Sequence, residues 1–511
     1  MPPTLAPDGA ATANGFLLVL AIVLPVAGVL LSFALAGRHA ERIALVLMPA
    51  GLGVAVAIFT GVWRAGRPLL YIMGGWDPPL GLALRADGLS AAMLLTTAVV
   101  ICAAGLFARA EFRAPRPGQP EARAPFVFWG FLLAVWAALN AVFLGNDLFN
   151  LYVALEILTF GAVPLVCLDG RAETLAAALR YLLFALLGSV LYLLGTALLY
   201  GAYGTLDIVL LSGRVRADAA TLVAAALMTV GLLAKTALFP LHLWLPPAHA
   251  GAPAAASAVL SALVVKGSFF LIVRLWFDVM PGLLSQMAAQ VLAALGAAAI
   301  LFGSVLALRQ ARLKLLIAYS TVAQIGYLFL MFPLAAGGGS AAFGSVGAWT
   351  GGMLQAISHA FAKAAMFMAA GLITRALGHD RIAGLAGIGR TLPMTVFAFG
   401  LGGLSLMGVP PSGGFVAKWL LLTAAIDRGQ WWWALVIVAG GMFTGGYVFR
   451  VLAPALTGPN DPLTLCAPVE RHREALVLAL ALLSVLLGLL PLASFGILQI
   501  GRLNIPTGVL R

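Results

Sequence analysis

Two interrupted apolar stretches decide how this chain folds. Residues 235–247 read KTALFPLHLWLPP and residues 408–418 read GVPPSGGFVAK, so proline stands near a lysine in both. Proline lacks a backbone N–H and clashes with the preceding helical turn, which predicts a break in each helix. Apolar sequence continues on both sides of each stretch, and we therefore expect two helices that are interrupted within one apolar span each.

The composition places these helices in a membrane. Of the 511 residues, 62% are hydrophobic and only 9% are charged, whereas about a quarter of the residues in a soluble domain are charged. Apolar runs of about 20 residues can cross a hydrocarbon core roughly 30 Å thick. They predict an all-α polytopic membrane protein with about fourteen spans. The predicted spans lie near residues 16–36, 43–63, 88–108, 126–145, 148–168, 176–200, 221–245, 253–277, 285–308, 315–334, 346–374, 392–426, 431–455 and 475–499.

The broken helices are the seventh and twelfth predicted spans, and their positions indicate an internal repeat. The twelfth lies five spans after the seventh, an odd number, so the two cross the membrane in opposite directions. Two inverted five-helix repeats with sites near broken helices are typical of ion translocators. The alternative is that membrane helices often contain proline and glycine without any repeat. The predicted divisions are 1–125 for the N-terminal tail and first three spans, 126–280 and 281–456 for the two repeats, and 457–511 for the last span and tail.

Charge and cysteine content exclude several functions. The net charge of +12 comes from arginines scattered over short loops, which does not indicate nucleic-acid binding. Alternate loops carry most of them, which predicts that this side is cytoplasmic and that both termini lie on the other face of a bacterial or archaeal plasma membrane. Three well-separated cysteines indicate neither a disulfide framework nor a metal site. No glycine-rich loop indicates a nucleotide, so we expect no cofactor.

The use of lysine is selective. The chain has 25 arginines but only five lysines, which are Lys235, Lys266, Lys314, Lys363 and Lys418. Four of them fall inside predicted spans, and Lys314 falls at the start of one. Arginine does not release its proton at any useful pH, whereas a desolvated lysine can become neutral. This predicts a proton-carrying role for the buried lysines, against the alternative that lysines anchor helix ends. For Lys314 anchoring is the better interpretation.

Other titratable groups accompany the lysines. Glu156 lies about two turns inside the fifth span and needs a partner or a proton. We expect an ion pair with a lysine of the seventh or eighth span, and a purely structural bridge is the alternative. His359 and Lys363 are four residues apart and therefore share one helix face. His242 and His249 flank the broken seventh span, where capping and proton transfer are equally open.

Proton conduction along Lys, Glu, His and water accounts for these residues most simply. A carrier of an organic substrate stays possible, but no aromatic-lined pocket is indicated. A scaffold without transport is a third alternative, and the retained lysines speak against it. The expected partners are the lipid bilayer, protons and monovalent cations.

The segments 233–246, 313–321, 359–363 and 410–418 together resemble the proton-translocating membrane subunits of respiratory complex I, membrane-bound hydrogenases and Mrp-type cation/proton antiporters. The resemblance implies a fourteen-helix core with a polar axis at the membrane midplane and partner subunits. It implies that Glu156 and Lys235 form the pair of the fifth and seventh helices, that Lys266 is the relay lysine, and that His359 and Lys418 continue the path. Gln324 stands where many members have a histidine, so the crossing between the halves would use water or His359.

Within this group the chain most resembles the D-type component of the Mrp antiporters, because it has a lysine at position 418 and no long C-terminal extension. The resemblance therefore implies a proton-translocating subunit of a multisubunit Na+/H+ antiporter. The alternative is an antiporter-like, proton-pumping subunit of NADH:quinone oxidoreductase or of a membrane-bound hydrogenase. In that case the chain would belong to an enzyme, a redox-driven translocase.

Overall fold

The structure is a computed structural model that describes residues 12–35, 39–113, 123–283, 285–336, 342–457 and 465–503, with the backbone alone at 342–345. The predicted tails before residue 12 and after residue 503 lie outside the described residues. Thirteen helices in the described ranges are long and apolar enough to cross a membrane. A fourteenth span is divided into two shorter helices, so the predicted all-α polytopic fold is confirmed.

The first six spans are continuous helices. They are α1 (Phe16–Ala34), α2 (Ala40–Ala65), α3 (Gly88–Ala108), α4 (Arg123–Leu144), α5 (Leu148–Val166) and α6 (Ala172–Tyr203). The seventh span follows the short helix α7 (Ile208–Ser212) and consists of α8 (Ala219–Thr236) and α9 (Leu245–Gly251). The eighth consists of α10 (Ala254–Val259) and α11 (Val265–Val273), with π-helical turns at Leu260–Val264 and Arg274–Val279.

The second half of the chain follows the same plan. The ninth to eleventh spans are α12 (Gln286–Arg309), α13 (Leu313–Phe329) with α14 (Met331–Ala335), and α15 (Ala342–Leu377). After the short α16 (Ile388–Thr391), the twelfth span is divided into α17 (Pro393–Met407) and α18 (Gly413–Asp427). The last two spans are α19 (Trp431–Leu456) and α20 (Arg471–Leu486).

Both predicted breaks are present, but they divide their spans differently. The twelfth span is split into two helices of 15 residues, whereas the seventh is split into helices of 18 and 7 residues. α8 continues to Thr236 because Ala237 adopts a left-handed conformation that ends the helix (φ 59°). Pro246 and Pro247 then begin α9, where a missing N–H is tolerated. The seventh span is therefore interrupted nearer to one end than we predicted.

Equivalent neighbours pack together in both predicted repeats. α4 contacts α5, α5 contacts α6, and α6 contacts α8, just as α12 contacts α13, α13 contacts α15, and α15 contacts α18. This pattern agrees with two repeats of one plan. The inverted relation between them stays a prediction.

The polar axis runs through the most buried spans. The eighth span is fully buried over its most apolar window, and the eleventh is 94% buried, compared with 28% for α1 and α2. A membrane protein surrounded by lipid can expose apolar residues at its perimeter but must bury titratable groups in the bundle. The eighth and eleventh spans carry Lys266, His359 and Lys363, which places these residues at the centre of the molecule.

One feature of the fold was not predicted. Two antiparallel strands, β1 (Leu69–Ile72) and β2 (Ala83–Ala86), form a hairpin between α2 and α3, with Leu69 opposite Ala86. Strands of four residues are too short to stand out in a sequence dominated by apolar runs. The hairpin places Arg85 and Asp87 at the start of α3.

Candidate functional site

The first centre is a buried ion pair between the fifth and seventh spans. Lys235 Nζ lies 3.0 Å from Glu156 Oε1 and donates a hydrogen bond of 2.9 Å to Thr159 Oγ1. Ser189 Oγ, from α6, donates to the same Glu156 oxygen. Lys235 is the last basic residue before α8 ends, so the helix terminus fixes its position. The structure thus brings together the two groups whose pairing we predicted.

A small cavity leads from this pair toward the eighth span. Its volume is about 10 Å³, and its lining includes Lys235, Thr159, Tyr181 and Ser268. Thr236, beside Lys235, donates a hydrogen bond of 2.9 Å to Ser268 Oγ. A cavity of this size with polar walls is close to the smallest that holds one water molecule. Ser268 lies two residues after Lys266, so polar groups link the first lysine to the second helix.

The second centre joins the eighth and eleventh spans. Lys266 Nζ lies 2.6 Å from His359 Nδ1 and 2.5 Å from the carbonyl oxygen of Ser261. The π-helical turn that ends at Val264 directly precedes Lys266, and such turns are frequent at functional sites. Two positive charges 2.6 Å apart would repel by roughly 6 kcal/mol at a dielectric constant of about 20. The pair therefore holds one positive charge, and a proton can pass across its short contact.

The third centre lies one helical turn further along α15. Lys363 Nζ donates to the carbonyl oxygen of Ile317 at 2.9 Å and also to Ser320 Oγ. Both partners belong to α13. Lys363 and His359 share one face of α15, as their spacing predicted. The charge is thereby passed from the eleventh span to the tenth.

One face of α13 connects Lys363 to the broken twelfth span. Ser320, Gln324 and Tyr327 are spaced by four and three residues and so lie on the same face. Gln324 Nε2 donates to the carbonyl oxygen of Leu406 at 3.1 Å, and Lys418 Nζ donates to the same oxygen at 2.5 Å. That carbonyl is free to accept both bonds because α17 ends at Met407, so its helical partner is missing.

Lys418 is the fourth centre. Its Nζ lies 3.9 Å from the centre of the Tyr327 ring, and it also approaches the carbonyl oxygen of Met407 at 3.4 Å. A lysine over an aromatic face is stabilised as a cation. The broken helix supplies the carbonyls and α13 supplies the ring. The break at residues 408–412 thus creates the binding place of the last lysine.

The secondary candidates lie beside this line. His249 is buried and stacks on Phe367 at 4.6 Å, and neither ring nitrogen has a hydrogen-bond partner among the described residues. His242 lines a separate cavity at the edge of the bundle. Lys314 Nζ donates to the carbonyl oxygen of Ala252 at 3.0 Å, which agrees with an anchoring role.

Several polar partners were not singled out from the sequence. Thr159, Ser189 and Ser320 each contact a titratable group of the axis. Serine and threonine are common in membrane helices, where they usually satisfy the backbone of their own helix, so their presence alone is no signal. The spacing of Ser320, Gln324 and Tyr327 is the one pattern that could have revealed the polar face of α13.

A second ionic cluster was also missed, at the far end of the eighth span. Arg274 lies 2.5 Å from Asp87 and 2.7 Å from Asp278, and Arg85 lies 3.3 Å from Asp87. Burial raises the pKa of Asp87, but Arg274 and Arg85 outweigh burial and hold that pKa at about 2. The cluster ties the hairpin to the helix that carries Lys266. Among the described residues no three His, Cys, Asp or Glu side chains form a possible metal site.

A bundle of membrane helices with a buried line of lysines, a glutamate and a histidine defines an antiporter-like membrane protein. The chain belongs to the NADH:quinone oxidoreductase/Mrp antiporter transmembrane family, whose model matches residues 145–444. That range contains all six residues of the predicted proton path. The predicted resemblance is confirmed at the level of the family.

Relatives come from both branches. NADH-quinone oxidoreductase subunit N of Desulforudis audaxviator is 33% identical over 80% of this chain and 79% of its own length. The D-type component of the Na(+)/H(+) antiporter of Alkalihalophilus pseudofirmus is 26% identical over 79% of each chain. A chain from the structure of the Mrp complex of Dietzia sp. superposes with a TM-score of 0.86, at 26% identity, over 97% of this chain and 98% of its own. The chain is thus an antiporter-like polytopic membrane protein related to subunits of both kinds.

Proposed function

We propose that this chain moves protons along the axis of Glu156, Lys235, Lys266, His359, Lys363 and Lys418. The observation that carries the proposal is the kind of partner that each lysine has. Among the described residues only Lys235 pairs with a carboxylate, whereas Lys266, Lys363 and Lys418 contact neutral groups. A buried cation without a counter-ion is costly, and this favours a group that becomes neutral during its working cycle.

The steps of the proposed path are electrostatic. A proton that reaches Glu156 neutralises the carboxylate and weakens its hold on Lys235. A unit charge roughly 7 Å away is worth about 2.4 kcal/mol at a dielectric constant of about 20, so movement of the Lys235 charge alters the proton affinity of Lys266. Lys266 passes its proton across the 2.6 Å contact to His359.

From His359 the proton continues to Lys363 and along α13 to Lys418. Ser320 contacts Lys363 and can relay a proton through its hydroxyl group. Gln324 cannot titrate, and its role in the proposal is to hold the Leu406 carbonyl that also accepts from Lys418. Transfer across this stretch needs water or the hydroxyl groups around Gln324, such as that of Thr444 at 3.3 Å.

We further propose that the chain is the D-type component of a multisubunit monovalent cation (Na+)/H+ antiporter of the Mrp kind in a bacterial or archaeal plasma membrane, with both termini outside the cytoplasm. The near-complete superposition on a chain of the Dietzia Mrp complex supports this assignment. The second candidate is a proton-pumping subunit of a redox-driven complex. The 33% identity to NADH-quinone oxidoreductase subunit N favours that candidate.

One experiment separates the two. The complex is purified through this chain, reconstituted into vesicles with an imposed pH gradient, and supplied with Na+ or with an electron donor. The antiporter assignment predicts that Na+ collapses the gradient without any donor and that Lys235→Ala abolishes the collapse while the complex stays assembled. A gradient that forms only when NADH or another donor is oxidised would instead establish the redox-driven candidate. Full activity of an assembled Lys235→Ala complex in either assay would contradict the proton path.

A further inference from the structure

A second cavity lies at the perimeter of the bundle, away from the proton axis. Its volume is about 310 Å³, and it is formed between α6, the segment around α9, and α13. Volumes of this order are at the small end of ligand-binding pockets. The cavity is lined by Arg180, Phe184, His242, Leu243, Pro246 and Tyr319. We call it the perimeter cavity.

The perimeter cavity opens toward lipid. On α6, Leu179, Leu183 and Leu187 are each more than half exposed and flank Arg180 and Phe184. Leu243, in the lining itself, is 57% exposed. Exposed leucines on a membrane helix face acyl chains. A ligand of this cavity therefore arrives from the bilayer.

Arg180 lies at the depth of lipid headgroups. α6 has 32 residues, which makes it about 48 Å long, longer than the roughly 30 Å hydrocarbon core. If α6 is centred in the bilayer, the backbone of Arg180 lies about 4 Å inside the hydrocarbon boundary. A long arginine side chain reaches from there to the interface, where phosphate groups lie.

The polar groups of the cavity lack partners in the protein. Arg180 is exposed and forms no ion pair or hydrogen bond with any described residue. His242 is 98% buried, yet its Nδ1 has no hydrogen-bond partner among the described residues. A guanidinium group matches phosphate through paired hydrogen bonds. Basic pockets between membrane helices bind the headgroups of anionic lipids.

We propose that the perimeter cavity binds the phosphate headgroup of an anionic phospholipid. Arg180 holds the phosphate, His242 contributes a further polar contact, and the exposed leucines contact the acyl chains. Phe239 stacks on His242 at 5.6 Å and packs against Phe302 at 5.1 Å, so the bound lipid also braces the segment between α8 and α9. The site is independent of the proposed proton movement.

Photo-crosslinking tests the proposal directly. The intact complex is incubated with photoactivatable phosphatidylglycerol or phosphatidylcholine, and labelled peptides are mapped. We expect phosphatidylglycerol to label residues 180–187 and 239–247 about tenfold more than phosphatidylcholine, because a charge-assisted hydrogen bond discriminates by about that factor. Arg180→Gln should remove the difference. Arg309→Gln, at an exposed arginine that ends α12 outside the cavity, should leave it unchanged.

A second variant keeps the test decisive if Arg180→Gln does not assemble. Phe184→Trp retains every charge but fills the cavity, and it should lower labelling by phosphatidylglycerol about tenfold. Equal labelling by the two lipids overturns the proposal. So does unchanged labelling in both variants, and so does a crosslink that shows a partner subunit in the cavity.

Discussion

Each lysine of the axis has a different partner. Lys235 pairs with a carboxylate, Lys266 with an imidazole, Lys363 with a hydroxyl and a carbonyl, and Lys418 with carbonyls and an aromatic ring. The sequence indicated which lysines are buried, because lysine is rare here and arginine is not. It also indicated that Glu156 needs a partner. It did not indicate the hydroxyl partners, since these become visible only when helices distant in sequence pack together.

The Glu156–Lys235 pair gives the first prediction. Glu156→Gln keeps the shape of the side chain and an oxygen for Ser189, but it removes the charge that attracts Lys235. Proton flux through the assembled complex should fall roughly 100-fold, since a positioned proton-transfer group contributes a factor of this order. Flux is measured with a pH-sensitive dye in vesicles. Glu173→Gln, in the exposed first turn of α6, is the matched control, and equal flux in both variants would contradict the role of Glu156.

Gln324 gives the second prediction at this scale. Gln324→Leu removes the bonds to Leu406, Thr444 and Gln355, and it should lower flux about fivefold to tenfold, because each lost bond is worth about 1 kcal/mol. Gln324→His restores a polar group and should recover most of the flux. If the leucine variant is as active as the unmodified chain, the proton does not pass along this face of α13.

At the scale of elements, the breaks in the seventh and twelfth spans were predictable from proline. Their unequal positions were not, because the end of α8 depends on the left-handed conformation of Ala237. The π-helical turns beside Lys266 and at Arg274 were also invisible, since they leave the apolar pattern of the span unchanged. The hairpin was missed for a related reason, because its strands are shorter than any window that separates strand from helix.

Close packing at the twelfth break gives a third prediction. A Cβ at Gly414 would overlap the carbonyl oxygen of Ser405, so α17 and α18 could not keep their separation. Gly414→Ala should destabilise the protein by about 1–3 kcal/mol, as overpacking does, and should displace the carbonyls that bind Lys418. Gly400→Ala is the control, because its Cβ would meet its nearest neighbour, Leu452, at an ordinary 3.7 Å. Thermal unfolding of the purified complex measures both, and equal melting temperatures would contradict this account.

The ionic cluster at the hairpin gives a fourth prediction. The pKa of Asp87 is lowered to about 2 in the folded protein, against about 3.9 in an unfolded chain. The resulting stability, roughly 2 to 3 kcal/mol, is fully present above pH 4 and is lost as the pH falls toward 2. Asp87→Asn removes this contribution and leaves the buried cluster with an excess positive charge.

The variant should therefore be less stable at pH 7, and the difference from the unmodified chain should shrink as the pH approaches 2. Denaturation of the complex at several pH values measures this. A difference that does not depend on pH below 4 would show that Asp87 is not held ionised by its arginines.

At the scale of the whole molecule, the membrane class and the family follow from the apolar spans and the buried lysines. The parent assembly does not, because the same axis serves relatives of both branches and the surfaces that bind other subunits have no periodic pattern. The line of contacts from Glu156 to Lys418 crosses six spans, from the fifth to the eighth and then through the tenth to the twelfth by way of the eleventh. A chain that crosses the bundle in this way can carry charge sideways through the protein, which no single helix could do.

The most direct test of this account replaces Lys266 with arginine. Lys266→Arg keeps a positive charge beside His359, but arginine does not release its proton. Proton flux in vesicles that contain the assembled complex should fall roughly 100-fold, while Arg309→Lys, outside the axis, should leave flux unchanged. Undiminished flux in an assembled Lys266→Arg complex would show that the buried lysines hold the structure together and do not carry protons.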